Sequence, residues 1–186
     1  MRKNFGPKPF LYPQPVMVIA SCGKDGTPDA MNAAWGGIAG GDKIFLCLSS
    51  NHKTVENILE RKAFTVSVAD EAHLVEADYV GLVSGNDVPD KLERSGFHVT
   101  RSEFVDAPVI DELPLVLECR LVSYDPNTHF MVGEIVNAGA DEAILDEAGM
   151  IDPAKLKPLT FDPANGTYWS LGEKMDKAFS DGSQLK

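Results

Sequence analysis

Hydrophobic and polar positions alternate with a period of two along much of the chain, which predicts strands more often than helices. Val16 to Cys22 is a short apolar run, Gly23-Lys24-Asp25-Gly26 reads as a turn, and Asp29 to Trp35 resumes an extended segment. Together they signal a hairpin. Gly36, Gly37, Gly40 and Gly41 interrupt the chain before a third strand over Lys43 to Ser49. Phe64, Val66 and Val68 alternate with Thr65 and Ser67, as in a half-buried strand. Leu115 to Tyr124 sets Leu115, Leu117, Cys119 and Leu121 on one face and Glu118 and Arg120 on the other. The turn residues Asp125-Pro126-Asn127 then predict that His129 to Asn137 returns antiparallel to it.

The period lengthens only in short stretches. Thr54 to Lys62 puts Val55, Ile58 and Leu59 on one helical face, with Asn51 or Ser50 as its cap. Glu71 to Val83 is a softer helical pattern, and Asp90 to Ser95 a single polar turn of helix stopped by Gly96. Asp141 to Asp146 reads as a short strand or edge, and Glu173 to Phe179 as a short helix in the tail. Residues 1–15, with Pro7, Pro9, Pro13 and Pro15, predict an extended arm lying on the domain. Strands with short helices between them favour a mainly β fold, an antiparallel barrel, over a doubly wound sheet.

A chain of 186 residues fits one domain, residues 1–186, with a substantial core. The net charge of −11 argues against nucleic acid or an anionic membrane as partner. Cys22, Cys47 and Cys119 are odd in number and widely spaced within apolar runs, which reads as buried reduced thiols in a cytoplasmic protein. The N-terminal residues lack the apolar core of a secretory signal, and no run approaches the roughly 20 apolar residues of a membrane span. His52, His73, His98 and His129 show no metal-ligand spacing, so no metal site is expected.

The candidate chemistry lies between Asp29 and Thr54, DAMNAAWGGIAGGDKIFLCLSSNHKT. The glycines there lack the strand-to-helix setting of a dinucleotide fingerprint. Asn32, Ala33, Ala34 and Trp35 offer small side chains, backbone donors and one flat indole wall. Ser49, Ser50, Lys53 and Thr54 cluster where a helix begins, and a helix start favours an anion. A slot for a flat ring joined to an anion site suits flavin mononucleotide (FMN). The alternative reading of the same residues is Trp35 in the core and the hydroxyls as caps.

The order PVMVIASCGKDGTPDAMNAAW, IFLCLSSNHKT, FTVSVA, DYVGLVSGNDVPDK, PLVLECRLVS, HFMVGEIV and YWSLGEKMDKAF resembles the flavin reductase-like family over nearly the whole chain, its flavoredoxin branch in particular. That resemblance implies an antiparallel Greek-key FMN-binding split barrel, working as a homodimer. It implies noncovalent FMN and electron transfer, as a carrier or as an oxidoreductase fed by reduced nicotinamide or a redox protein. Carried over by motif, Asn32 and Trp35 border the flavin ring, with Ala33 and Ala34 giving close backbone. Ser49, Ser50, Lys53 and Thr54 meet the phosphate and ribityl chain, and Lys91 approaches the flavin. Phe161 is assigned as an aromatic close to the ring, with ordinary packing or a dimer contact as the alternative. A histidine position of related reductases falls on His129, which stays outside the core site. Asn32 departs from the Thr that relatives often carry there. A non-redox split barrel holding haem or another planar ligand is the competing function.

Overall fold

The alternating segments become strands in a computed structural model of the chain, which describes residues 1–185. Gln14–Pro15 (β1), Met17–Cys22 (β2), Pro28–Ala33 (β3), Gly36–Ile38 (β4) and Lys43–Cys47 (β5) precede the first helix, Lys53–Arg61 (α1). Ala63–Val68 (β6), Leu74–Leu82 (α2), Lys91–Ser95 (α3), Val99–Arg101 (β7) and Pro108–Ile110 (β8) follow. The long strands Leu115–Asp125 (β9) and Phe130–Ala140 (β10) come next, then Pro153–Leu156 (α4), Leu159–Asp162 (β11) and Thr167–Ser170 (β12).

Seven strands form one antiparallel sheet in the order β3-β2-β6-β9-β10-β5-β4. Its two edge strands, β3 and β4, are joined by only Ala34 and Trp35. Three Cα steps span at most about 11 Å, whereas the outer strands of a flat seven-stranded sheet lie about 29 Å apart. The sheet therefore curls until its edges meet, and a half-barrel results. Cys47 N–H donates to the Trp35 carbonyl at 2.8 Å, which carries the β4–β5 ladder into this link. The fold is the mainly β, antiparallel split barrel that the strand pattern and the family resemblance both point to.

Both faces of β2 are buried, because the barrel interior lies on one side and a second core on the other. Ile19 packs inside with Met31, Leu46, Phe64 and Met131, and α1 adds Val55 and Ile58. Val18 and Ala20 face outward onto Ala77 and Val80 of α2 and Leu92 of α3. Phe64 is fully buried, worth about 1.5–3 kcal/mol for a side chain of its size. Gly133 on β10 makes room for it, since a Cβ there would lie 2.4 Å from Phe64 Cζ.

Four expectations change. Glu173 to Phe179 is not a helix: residues 171–177 have no regular structure and the last turn is 3-10, Asp181–Leu185. Met175 and Phe179 are fully exposed, and so short a helix does not stand without a packed face. Asp141 to Asp146 is not a strand but a 3-10 turn, Glu142–Ile144, that buries Ile144 alone. The α1 N-cap is His52, with no side-chain cap bond, in place of Ser50 or Asn51. The thiols also differ from one another. Cys119 is buried, and burial, helped by Glu118, pushes its pKa up to about 12. Cys22 and Cys47 are only partly buried. Among the described residues no helix is long and apolar enough to cross a membrane.

Gly133→Ala should cost about 1–3 kcal/mol in urea unfolding, the usual penalty for overpacking. Gly37→Ala, whose new Cβ meets nothing within 4 Å, should change stability by less than about 1 kcal/mol. Equal effects would mean that the Phe64 ring yields freely.

Candidate functional site

Closing the sheet at Ala34 and Trp35 leaves a cleft of about 590 Å³ between the seam, the start of α1, the end of α2 and the β11–β12 hairpin. That volume lies within the range of about 300–1,000 Å³ for small-molecule and cofactor sites. Asn32, Ala33, Ala34, Trp35, Lys53, Thr54, Lys91 and Phe161 all line it. Ser49 and Ser50 do not: they lie before the α1 start, outside the lining, and Ser50 is exposed. Trp35 is 41 % exposed, so it forms a wall of the cleft and not part of the core.

At the seam end a polar network orients Asn32. Its Nδ2 donates to the Ala77 carbonyl at 3.0 Å and to the Tyr168 hydroxyl at 3.4 Å. The Tyr168 hydroxyl in turn donates to Asp78 Oδ1 at 2.7 Å. Both amide hydrogens of Asn32 are thus used within the protein, which leaves its Oδ1 as the acceptor for a ligand N–H. Gly81 lets α2 come this close, because a Cβ there would meet Asn32 Cβ at 2.8 Å. Phe161 packs against Tyr168 with ring centroids 6.0 Å apart and forms the opposite wall.

At the other end stands the N-terminus of α1. Val55 and Glu56 N–H both donate to the His52 carbonyl. The N–H groups of Lys53 and Thr54 have no carbonyl partner among the described residues, and no side chain caps them. Free N–H groups and the helix dipole make this end attractive to an anion. Lys53 adds an ammonium, paired at 3.1 Å with Glu56 across a part-exposed side chain. The Thr54 hydroxyl is engaged elsewhere: it is 1 % exposed and donates to Asp29 Oδ2. Thr54 therefore offers its backbone, not its hydroxyl.

Lys91 is neither solvated nor a free donor. It is 3 % exposed and forms an ion pair with Asp29 Oδ1 at 3.1 Å. The ammonium also donates to the carbonyls of Val80, at 3.3 Å, and Val83, at 3.2 Å. His52 lines the cleft beside it. Partial burial holds the His52 pKa below its usual value, the Lys91 charge adds to this, and Asp29 opposes it. Asp29, His52 and Tyr168 lie within stretches the sequence singles out, but their roles at the site come from contacts that only the fold makes. Among the described residues no three His, Cys, Asp or Glu side chains are grouped to hold a metal ion.

Residues 10–165 match the flavin reductase like domain. The chain is similar to the solved flavoredoxin of Desulfovibrio vulgaris (Miyazaki F), with 35 % identity, a TM-score of 0.94, and 98 % of this chain and 100 % of that one covered. It is also similar to a flavoredoxin from Methanosarcina acetivorans, at 30 % identity and a TM-score of 0.90 with both chains covered in full. An uncharacterised protein of Aquifex aeolicus (strain VF5) is 26 % identical over 162 residues, 81 % of each chain.

The Tyr168 network predicts a pH dependence. Burial first, then the bond to Asp78, pushes the Tyr168 pKa up to about 12. The folded chain keeps a proton that an unfolded tyrosine releases near pH 10, about its ordinary pKa. This contribution to stability is intact below about pH 10 and is lost as pH rises towards 12. Wild-type stability in urea should therefore fall more steeply over that window than that of Tyr168→Phe. Parallel slopes would remove Tyr168 from the linkage.

Proposed function

The chain belongs to the flavin reductase-like family, on its flavoredoxin side, and from that premise we propose that it binds FMN in this cleft and transfers electrons through it. The observation that carries the reading is the pairing of a flat-walled pocket at Asn32–Trp35 with two free helix N–H groups and an ammonium at Lys53. These groups fit the two ends of the cofactor, a planar ring and a phosphate dianion. When bound, the flavin supplies a ring that accepts a hydride or electrons and passes them on.

The residues around it bind, orient and exclude water. Lys53 and the N–H groups of Lys53 and Thr54 hold the phosphate by charge-assisted hydrogen bonds. Asn32, kept in place by Ala77 and Tyr168, turns its oxygen to an N–H at the ring edge. Ala33 and Ala34 let the ring approach backbone, and Trp35 and Phe161 shield it from solvent. Lys91, ion-paired with Asp29, stands in the cleft wall and acts on the ring only through the charge that the pair leaves. Ser49 and Ser50, at the approach to α1, contribute to the phosphate end once the ligand is seated.

The working unit in this reading is a homodimer. Trp35, Ile38 and Phe130 are 41 %, 68 % and 50 % exposed around the β4–β5 edge, an apolar surface that a second copy covers. The electron donor is a reduced nicotinamide or a redox protein, and the place of work is the cytoplasm.

Purified protein should be yellow with flavin absorption bands, or take up added FMN. A Soret band instead would favour the haem alternative, and a protein that binds neither would sink the proposal. Lys53→Ala should weaken FMN binding about 10- to 100-fold, equivalent to the roughly 1.5–3 kcal/mol of a bond to a charged group. Lys24→Ala, a side chain 89 % exposed, should leave affinity unchanged. Sedimentation should give twice the chain's 20.1 kDa. Anaerobic mixing with NADH or NADPH separates a nicotinamide donor, which bleaches the flavin, from a protein donor, which leaves it coloured.

A further inference from the structure

Asp29, on β3, is a carboxylate enclosed behind the cleft wall and 5 % exposed. Its Oδ1 lies 3.1 Å from Lys91 Nζ, and its Oδ2 accepts the Thr54 hydroxyl. The loop after α2 seals it from above. A Cβ at Gly85 would fall 2.2 Å from Asp29 Oδ1 and 3.2 Å from Lys53 Cγ, so glycine alone lets the loop close there. An ammonium has three N–H bonds. Those of Lys91 are taken by Asp29, Val80 and Val83. With no N–H left for a ligand, Lys91 acts on the cleft through its charge, and the size of that charge depends on its partner.

We propose that Asp29 is a positioning residue that sets the net charge the cleft presents to its ligand, by holding Lys91 as a compensated ammonium and turning the Thr54 hydroxyl away from the cleft. The pair is screened little, because both members lie in the interior. Removing the carboxylate unmasks a full positive charge within the cleft wall. Removing the ammonium unmasks a negative one. The ligand affected is any that gains or loses charge in the cleft; for a flavin, the affected quantity is the ease of its reduction. This last consequence rests on the FMN reading, whereas the charge balance itself does not.

His52 reports on that balance without any cofactor, since it lines the same cleft and senses Lys91, from α3, and Asp29, from β3, with opposite signs. In FMN-free protein its imidazole can be titrated by NMR and identified by its loss in His52→Gln. Asp29→Asn should lower the His52 pKa, the direction expected when a nearby opposite charge is lost. Lys91→Gln should raise it by a similar amount, and the double variant, with both charges gone, should return it near the wild-type value. Each variant that folds tests the sign on its own, and the double leaves no charge buried alone. An unchanged or same-signed response in the single variants, or a double that stays displaced, would overturn the proposal.

In FMN-loaded protein, Asp29→Asn should favour the reduced over the oxidised flavin about tenfold, which is about 30 mV for a two-electron couple. A potential unmoved in a variant that binds FMN would also overturn it. Should FMN not bind at all, the flavin reading fails while the His52 titration still decides the role of Asp29.

Discussion

A two-residue link between the first and last strands of a seven-stranded sheet is the constraint on which the rest of this structure depends. Because Ala34 and Trp35 alone join β3 to β4, the sheet cannot lie flat. Curling brings β3, β5 and the start of α1 to one seam, where a wall and a helix N-terminus meet across one cleft. Small side chains at residues 33 and 34 let the chain turn tightly there. The single bulky one, Trp35, is left half in solvent.

Around that seam polar side chains are half-buried or buried and hydrogen-bonded to one another. Asn32, Tyr168 and Asp78 form one hydrogen-bonded chain; Asp29, Lys91 and Thr54 form another. Groups of this kind are costly to bury unless every partner is in place. They come from β3, α1, α2, α3 and β12, so satisfying them locks elements that are distant in sequence into a single arrangement. Gly81 and Gly85 serve the same end, since each clears the space in which α2 and its following loop press onto β3. A cleft built this way is shaped before any ligand arrives, and a ligand then loses little of its binding energy to reorganising the site.

Strands with a half-buried face were legible in the sequence because period two is plain there: β9 falls within a residue of expectation and β10 within three. β6 alternates as plainly but is not half-buried as expected, since Thr65 and Ser67 are as buried as its apolar residues and both of its faces are covered. The β11–β12 hairpin was not legible, because strands of four residues are too short for a period to show. It is nevertheless the hairpin that carries Phe161 and Tyr168 into the cleft. Residues 173–179 show the reverse. Their helical spacing is clear, but Met175 and Phe179 are fully exposed among the described residues, so no buried face supports a helix. Spacing states which residues share a face; it does not say whether another element covers that face.

By itself the sequence determined the mainly β class, the helix after the polar cluster and the location of the candidate site between Asp29 and Thr54. Those follow from local periods, turn residues and composition, which act over a few residues and can be read in order. Only the tertiary structure decided that Thr54 faces inward to Asp29, that Lys91 is a buried ion-paired group in place of a solvated one, and that Tyr168 holds Asn32. Each of these is a contact between side chains more than twenty residues apart. The geometry that allows them comes from sheet closure and from two glycines, and no local pattern records it.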